Sequence, residues 1–260
     1  MKITAGIITL DEEERLPGAI ASLRGLVDEI LVVDSGSRDG TERIARDAGA
    51  RWVHQDWLGY VGQKNRVIEL ATHPWVLSLD ADEALSEPLR EEIRALRSAG
   101  EPSGNVTGFS MPRCVLYEGR WIRHGDWYPD RLVRLFRRDA ARFAGGRVHE
   151  RLELKGEVRR LKGDIHHFSF RDAADHRARG ERYARLWAES AWEQGRRAGP
   201  AAPWLHAGYR WVRCYLLRRG FLDGSQGWRI AALSARETAL KYRMLHGMLR
   251  DESCRPKSSN

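Results

Sequence analysis

The chain has 260 residues, 42% of them hydrophobic, with ten tryptophans, which excludes a disordered polypeptide and gives length enough for a sizeable core. No apolar run approaches the roughly 18 residues that span a bilayer, and Met1 to Ile8 is too short an apolar stretch for a secretory signal, so neither a membrane span nor a leader is expected. The net charge of +8 is uneven: residues 1–100 hold 12 Lys/Arg against 18 Asp/Glu (−6), and residues 101–260 hold 32 against 18 (+14).

The first hundred residues alternate strand and helix signals. Lys2 to Leu10 is apolar and β-rich, and Glu12 to Leu26 has helical spacing through Leu16, Ala19, Ile20 and Leu23. Glu29 to Val33 reads as a second buried strand, ended by the turn-rich Asp34-Ser35-Gly36-Ser37-Arg38-Asp39-Gly40. Thr41 then has the chemistry of an N-cap for a helix over Glu42–Ala48, closed by Gly49. Arg51–His54 predicts a third strand, Val61–Ala71 a third helix, and Pro74 to Leu79 a fourth strand. This order implies a largely parallel sheet with helices on both faces, whose ligands bind beyond the carboxyl ends of the strands.

Glu87–Ala99 is a further amphipathic helix, and Gly100–Gly104 a loop. Short strands follow at Phe109–Met111, Arg131–Arg137, Arg151–Leu154 and Asp164–Phe170. Helical patterns then cover Ala173–Arg197, Trp204–Arg219 and Gly227–Leu249, with Gly199-Pro200-Ala201-Ala202-Pro203 as a linker. The expected division is a catalytic domain over 1–172, with a nucleotide-binding half (1–100) and an acceptor half (101–172). A helical extension over 173–250 and a disordered tail over 251–260 complete it. Cys114, Cys214 and Cys254 lie far apart without metal-like spacing, which predicts free thiols in a reducing compartment, the cytoplasm.

No Gly-x-Gly-x-x-Gly opens a helix and no Walker A sequence occurs, so a dinucleotide fold or a P-loop lacks its phosphate cradle. Instead Asp80-Ala81-Asp82-Glu83 directly follows a buried strand. Carboxylates in such a place are costly unless a cation meets them, and a divalent metal holding a diphosphate suits Asp82, with Asp80 beside it. Asp34 ends a neighbouring strand. It either accepts from a nucleoside or serves as turn chemistry.

These segments resemble a known family. Ile7-Ile8-Thr9-Leu10-Asp11-Glu12, Val32 to Thr41 and Leu79-Asp80-Ala81-Asp82-Glu83 are similar to family 2 glycosyltransferases of the GT-A fold. Gln55 to Asn65 further resembles the WaaE (KdtX) type of lipopolysaccharide core glycosyltransferases, which resemble the LgtF-like glucosyltransferases. The resemblance runs over about residues 1–170, and more weakly through Gly220-Phe221-Leu222-Asp223-Gly224 to Lys241-Tyr242. It implies a mixed, mostly parallel α/β sheet with a C-terminal helical extension. It also implies that Thr9, Asp11, Asp34, Lys64 and Asp80 bind the nucleotide and that Asp82 binds the metal. Asp11 stands where many relatives carry asparagine.

Family 2 enzymes resemble one another in inverting the anomeric centre, which needs a carboxylate to take the acceptor proton. Glu150 occupies that place, with Asp126 or Asp130 as alternatives, and His149 beside Glu150 would orient the base or touch the diphosphate. His167, or its neighbour His166, would complete the metal site. The implied reaction moves a sugar, glucose from UDP-glucose, with Mg²⁺ or Mn²⁺, to the inner core of lipid A-linked oligosaccharide. A family 2 enzyme with another lipid-linked or polysaccharide acceptor is the alternative. The aromatic, arginine-rich C-terminal helices either lie on an anionic membrane surface, making the protein peripheral at the inner face of the inner membrane, or pack on the catalytic domain. A basic nucleic-acid-binding protein is the reading from another class. The acidic first hundred residues oppose it, since they would repel phosphates without a metal.

Overall fold

The computed structural model describes residues 1–145, 150–170 and 173–254. The chain forms two compact units, one of Met1–Cys114 with Asp130–Phe168 and one of Val115–Pro129 with Ser169 onward.

In the first unit, β1 (Ile3–Thr9), α1 (Leu16–Leu23), β2 (Glu29–Asp34), α2 (Thr41–Asp47), β3 (Arg51–His54), α3 (Gly59–Leu70) and β4 (Trp75–Asp80) alternate as the hydrophobic pattern predicts. After them come β5 (Glu83–Leu85), α4 (Glu87–Ala99), β6 (Val106–Tyr117) and, beyond a segment of the second unit that holds β7 (Arg120–Ile122), β8 (Asp130–Arg137). Next are β9 (Ala141–Gly145), β10 (Glu150–Leu154), β11 (Glu157–Arg160) and β12 (Ile165–His167). The sheet order is β3-β2-β1-β4-β8-β6-β12-β5, with β11 beside β6 and a separate β9–β10 ribbon. Strands β3, β2, β1 and β4 are mutually parallel, and β8 joins β4 antiparallel. This is a mixed, mostly parallel GT-A-like sheet.

Successive side chains on a strand point to opposite faces, and here both faces are covered. Ile3, Ala5, Ile7, Trp75 and Leu77 pack with Leu16, Ile20 and Leu23 of α1 and Leu89 and Ile93 of α4. Leu31, Val33 and Val76 face the other way, onto Val67 and Ile68 of α3 and onto Phe136 and Phe143. That double burial is why these strands read as continuous apolar runs.

Three local expectations need correction. Phe109–Met111 is the middle of a twelve-residue strand; Pro112 and Arg113 disguise its length, yet both keep register with Arg131 and Asp130 of β8. Thr41 does not cap its own helix. Its hydroxyl accepts from the Glu12 N–H at 2.9 Å, while Asp39 Oδ1 takes the Thr41 N–H at 2.9 Å. The last helix, α7 (Gly224–Cys254), includes 251–254 of the segment expected to be disordered; residues 255–260 lie outside the described residues.

The second unit contains β7 (Arg120–Ile122), paired with the end of β6, then α5 (Ala173–Glu193), α6 (Ala202–Val212) and α7. Asp223 is buried and accepts from the N–H groups of Arg123 and His124 at 3.1 and 2.8 Å. A Cβ on Gly227 would lie 1.8 Å from the carbonyl oxygen of Gly220, so α7 passes that turn in backbone contact. These contacts account for the Gly-Phe-Leu-Asp-Gly segment by packing.

The seating of α3 on β1 depends on Gly6, where a Cβ would lie 2.0 Å from Val67 Cγ1. Gly6→Ala is expected to cost about 1–3 kcal/mol by overpacking, measured by urea denaturation. The pair Gly6→Ala/Val67→Ala should lose less than the sum of its single variants; simple additivity would show that this contact does not set the helix height.

Candidate active site

The parallel strands bring Thr9, Asp34 and Asp80 to one edge of the sheet, as the last residues of β1, β2 and β4. Register places Thr9 opposite Asp34 and Ile8 opposite Asp80. Two loops interlock in front of this edge. Asp34 Oδ2 accepts from the N–H groups of Gly36 and Ser37 at 2.8 Å each, and Oδ1 accepts from Thr9 Oγ1 at 3.0 Å and from the Ser37 hydroxyl. Asp34 is thus buried turn chemistry that shapes the loop. Asp11 adopts a left-handed φ of 53°, tolerable for aspartate. Its carboxylate takes the Arg38 N–H at 2.7 Å while its own N–H reaches Ser37 Oγ at 2.8 Å. An asparagine oxygen would accept the same bond.

Three consecutive polar residues of α3 each bind a different part of the chain. Gln63 donates to Ser35 Oγ and to the Gln55 carbonyl at 2.6 and 3.1 Å. Asn65 exchanges two hydrogen bonds with the backbone of Phe143, both 2.9 Å, and so pins the β9–β10 ribbon. Between them Lys64 is buried, its Nζ 3.1 Å from Asp80 Oδ1 and 3.0 Å from Glu150 Oε1. Burial alone would raise the Glu150 carboxyl, but the Lys64 ammonium holds it below the usual value.

On its other oxygen Asp80 meets Arg134, buried in β8, at 2.8 Å. Arg134 also contacts Glu83 at 2.8 Å, and Arg113 joins Glu83 (3.5 Å) to Asp130 (2.6 Å). Glu83 is fully buried in β5, and its Oε2 accepts the Asp80 N–H at 3.1 Å. Burial opposes ionisation of Asp80, yet Arg134 and Lys64 together hold its carboxyl well below the usual range. The same pairing raises Arg134 against the effect of its own burial.

Asp82 stands apart from this row. Its Oδ2 lies 3.3 Å from His167 Nε2, and although burial pushes its carboxyl up, His167 brings it lower. Among the described residues His167 Nδ1 is buried without a hydrogen-bond partner. No cluster of three or more His, Cys, Asp or Glu suited to a metal occurs among the described residues. The Asp82 carboxylate and the Nε2 of His167 beside it are donors that fit a cation whose remaining ligands come from substrate phosphates.

The fallback carboxylates are elsewhere engaged. Asp130 is held by Arg113, while Asp126, in the second unit, pairs with Arg210 and Arg213 at 3.1 and 3.4 Å. His149 lies outside the described residues, and His166 falls on the opposite face of β12 from His167. Sequence reasoning missed Gln63, Asn65, Glu83 and Arg134. For Arg134 the signal was available, since a charge between Val133 and Leu135 in an apolar strand needs a buried partner.

Replacing Arg134 by methionine would strand Asp80 and Glu83, a loss of about 3–5 kcal/mol that urea titration would register. Asp80 ionises below its ordinary 3.8, so its contribution is complete above that value and lost as pH falls. In Arg134→Met the acid-side loss should begin at higher pH; an unchanged acid limb would remove Asp80 from this pairing.

Residues 4–163 match the model of the Glycosyl transferase family 2 domain. The chain is 33% identical over 204 residues to the lipopolysaccharide core biosynthesis glycosyltransferase LpsC of Rhizobium meliloti, covering 76% of this chain and 74% of LpsC. It is 28% identical over 235 residues to an uncharacterized glycosyltransferase of Rickettsia typhi, covering 87% and 80%. Glucosyl-3-phosphoglycerate synthase of Mycobacterium tuberculosis, solved with Mn²⁺, UDP and glucosyl-3-phosphoglycerate, is 27% identical over 45% of this chain and 44% of that one, at a TM-score of 0.34. With the family match covering more than half of the chain, and a relative above 30% identity along three quarters of it, this protein belongs to glycosyltransferase family 2.

Proposed function

We propose that this glycosyltransferase inverts the anomeric centre, moving glucose from UDP-glucose to the inner core of lipid A-linked oligosaccharide. The observation that carries the reading is Lys64, whose Nζ ties Asp80 at a strand end and Glu150 on the ribbon to one point. That point is where a diphosphate and an attacking hydroxyl have to meet. The likeness to LpsC supports the lipopolysaccharide acceptor. An acceptor anchored in lipid A places the protein at the cytoplasmic face of the inner membrane.

In this reading the interlocked loops of Thr9, Asp11 and Asp34 receive the nucleoside, and Asp80 fixes the position of Lys64. Asp82 and His167 would hold Mg²⁺ or Mn²⁺, which when bound would offset charge on the leaving diphosphate. Charge supports a divalent ion. The row from Glu150 to Asp130 holds four carboxylates against three cations, and Asp82 adds a fifth carboxylate, leaving two negative charges. Lys64 turns to the incoming phosphates and releases Glu150. The Glu150 carboxylate then takes the acceptor hydroxyl proton as that oxygen bonds to the anomeric carbon. The bond from that carbon to the phosphate oxygen breaks, and UDP leaves with the electron pair.

Titration calorimetry should show Mn²⁺-dependent binding of UDP-glucose to the wild type and its loss in Asp82→Ala; equal binding by both would sink the donor site. Glu150→Gln should bind donor normally and lose transfer by about 10²–10⁴-fold, whereas retained turnover would move the base elsewhere. Because Lys64 holds Glu150 below its usual 4.5 against burial, the acid limb of kcat/KM should lie below that value. Lys64→Met should shift the limb upward, and a limb that stays in place would separate Lys64 from the base.

A further inference from the structure

The second unit carries an exposed apolar surface that takes no part in the donor and base chemistry. The helix from Ala202 continues through a π-helical turn at Arg213–Leu217. Along it Leu205, Tyr209, Val212 and Leu216 are exposed at spacings of four, three and four residues, one stripe of a helix. Trp204 and Leu205 are each 70% exposed and Leu217 67%. Beside the stripe Trp228, half exposed, stands edge-on to Trp211 and Tyr215 at 5.3 and 5.4 Å, which holds the aromatic rings in place. Soluble surfaces rarely leave so contiguous an apolar face open to water.

Its charge is equally one-sided. Residues 194–222 contain six arginines and not one aspartate or glutamate. Asp126, which pairs with Arg210 and Arg213, is itself buried. Arg218 and Arg219 are exposed and have no ion-pair partner among the described residues. Arg243 lies 6.0 Å from the ring centre of Trp204. Among the described residues no helix is long and apolar enough to cross a membrane.

We infer that this face, centred on α6 and its π-helical turn, docks in the headgroup layer of an anionic phospholipid bilayer. Leucines on the stripe enter the acyl boundary, tryptophan and tyrosine rings sit at headgroup level, and Arg218 and Arg219 meet lipid phosphates. A protein partner would have to match an acid-free stretch with acidic groups at fixed places, whereas an anionic bilayer presents phosphates everywhere. The inference stands on the second unit alone and needs no donor or acceptor.

The test is flotation of the full chain with vesicles of phosphatidylcholine containing phosphatidylglycerol, and with phosphatidylcholine alone. The wild type should float with the anionic vesicles and far less with the neutral ones. Leu205→Glu/Leu216→Glu should lower partitioning about tenfold or more by placing charge in the acyl boundary. Arg218→Gln/Arg219→Gln should lower it by about fivefold per arginine, with the remaining binding less sensitive to salt. Thermal midpoints equal to wild type would show these exposed positions fold normally; if the double Glu variant melts early, Leu217→Ser gives the same readout. Failure of the wild type to float, or flotation unaffected by the Leu205/Leu216 pair, overturns the inference. So does a dimer in sedimentation equilibrium that the Glu pair disperses, since the stripe would then belong to a second copy.

Discussion

Glu150, Lys64, Asp80, Arg134, Glu83, Arg113 and Asp130 form a row in which every charge touches one of opposite sign, at separations of 2.6–3.5 Å. It runs from the β9–β10 ribbon across α3, β4, β8 and β5 to β6. Its middle members are shielded from water, where an unpaired ion is expensive and a paired one roughly breaks even. Such a row is therefore held more for the geometry it enforces than for net stability. Moving any inner member leaves two neighbours with an uncompensated charge, so the elements that supply them have few alternative positions. Asp80 and Glu150 come from distant parts of the chain, and this constraint is what makes their meeting reproducible.

Much of this architecture could be read from residue patterns. The four parallel strands are legible because both of their faces are buried, and Asp34 and Asp80 stand out because carboxylates at the ends of such strands require explanation. Lys64 was not legible from its surroundings. A lysine on a helix usually extends into water, and its burial depends on Glu150, eighty-six positions away. Gln63 and Asn65 were hidden for the same reason: their partners at Ser35, Gln55 and Phe143 have no local signature. Glu83 was hidden in another way. A glutamate four residues before Glu87 suits a helix start, but the cap is Ser86, whose Oγ accepts the Leu89 N–H. In the Asp34 loop the turn-chemistry reading is the one the hydrogen bonds express, since the carboxylate makes the turn.

The basic half of the chain separates into two kinds of arginine. Some are structural, as Arg134 in the sheet or Arg210 and Arg213 around Asp126, and their charge is cancelled within the fold. Others, including Arg218 and Arg219, remain open to solvent. Net charge from composition counts both kinds alike, so it overstates how much positive surface is available to a partner. What distinguishes the C-terminal helices is the coincidence of free arginines with apolar side chains in one stretch.

Asn65 has a consequence that reaches past its own two hydrogen bonds. Its amide presents to Phe143 a donor and an acceptor side by side, as a neighbouring strand would, so α3 closes part of the open edge of β9. Pairing of Glu150 with Gly145 and of Leu152 with Phe143 then counts outward from that clamped residue. Because strand side chains alternate, a slip by one residue would turn the Glu150 carboxylate to the far side of the ribbon, and a slip by two would restore it. The ribbon therefore answers to parity. A shift of register between the paired residues would keep Glu150 on the Lys64 side only in even steps.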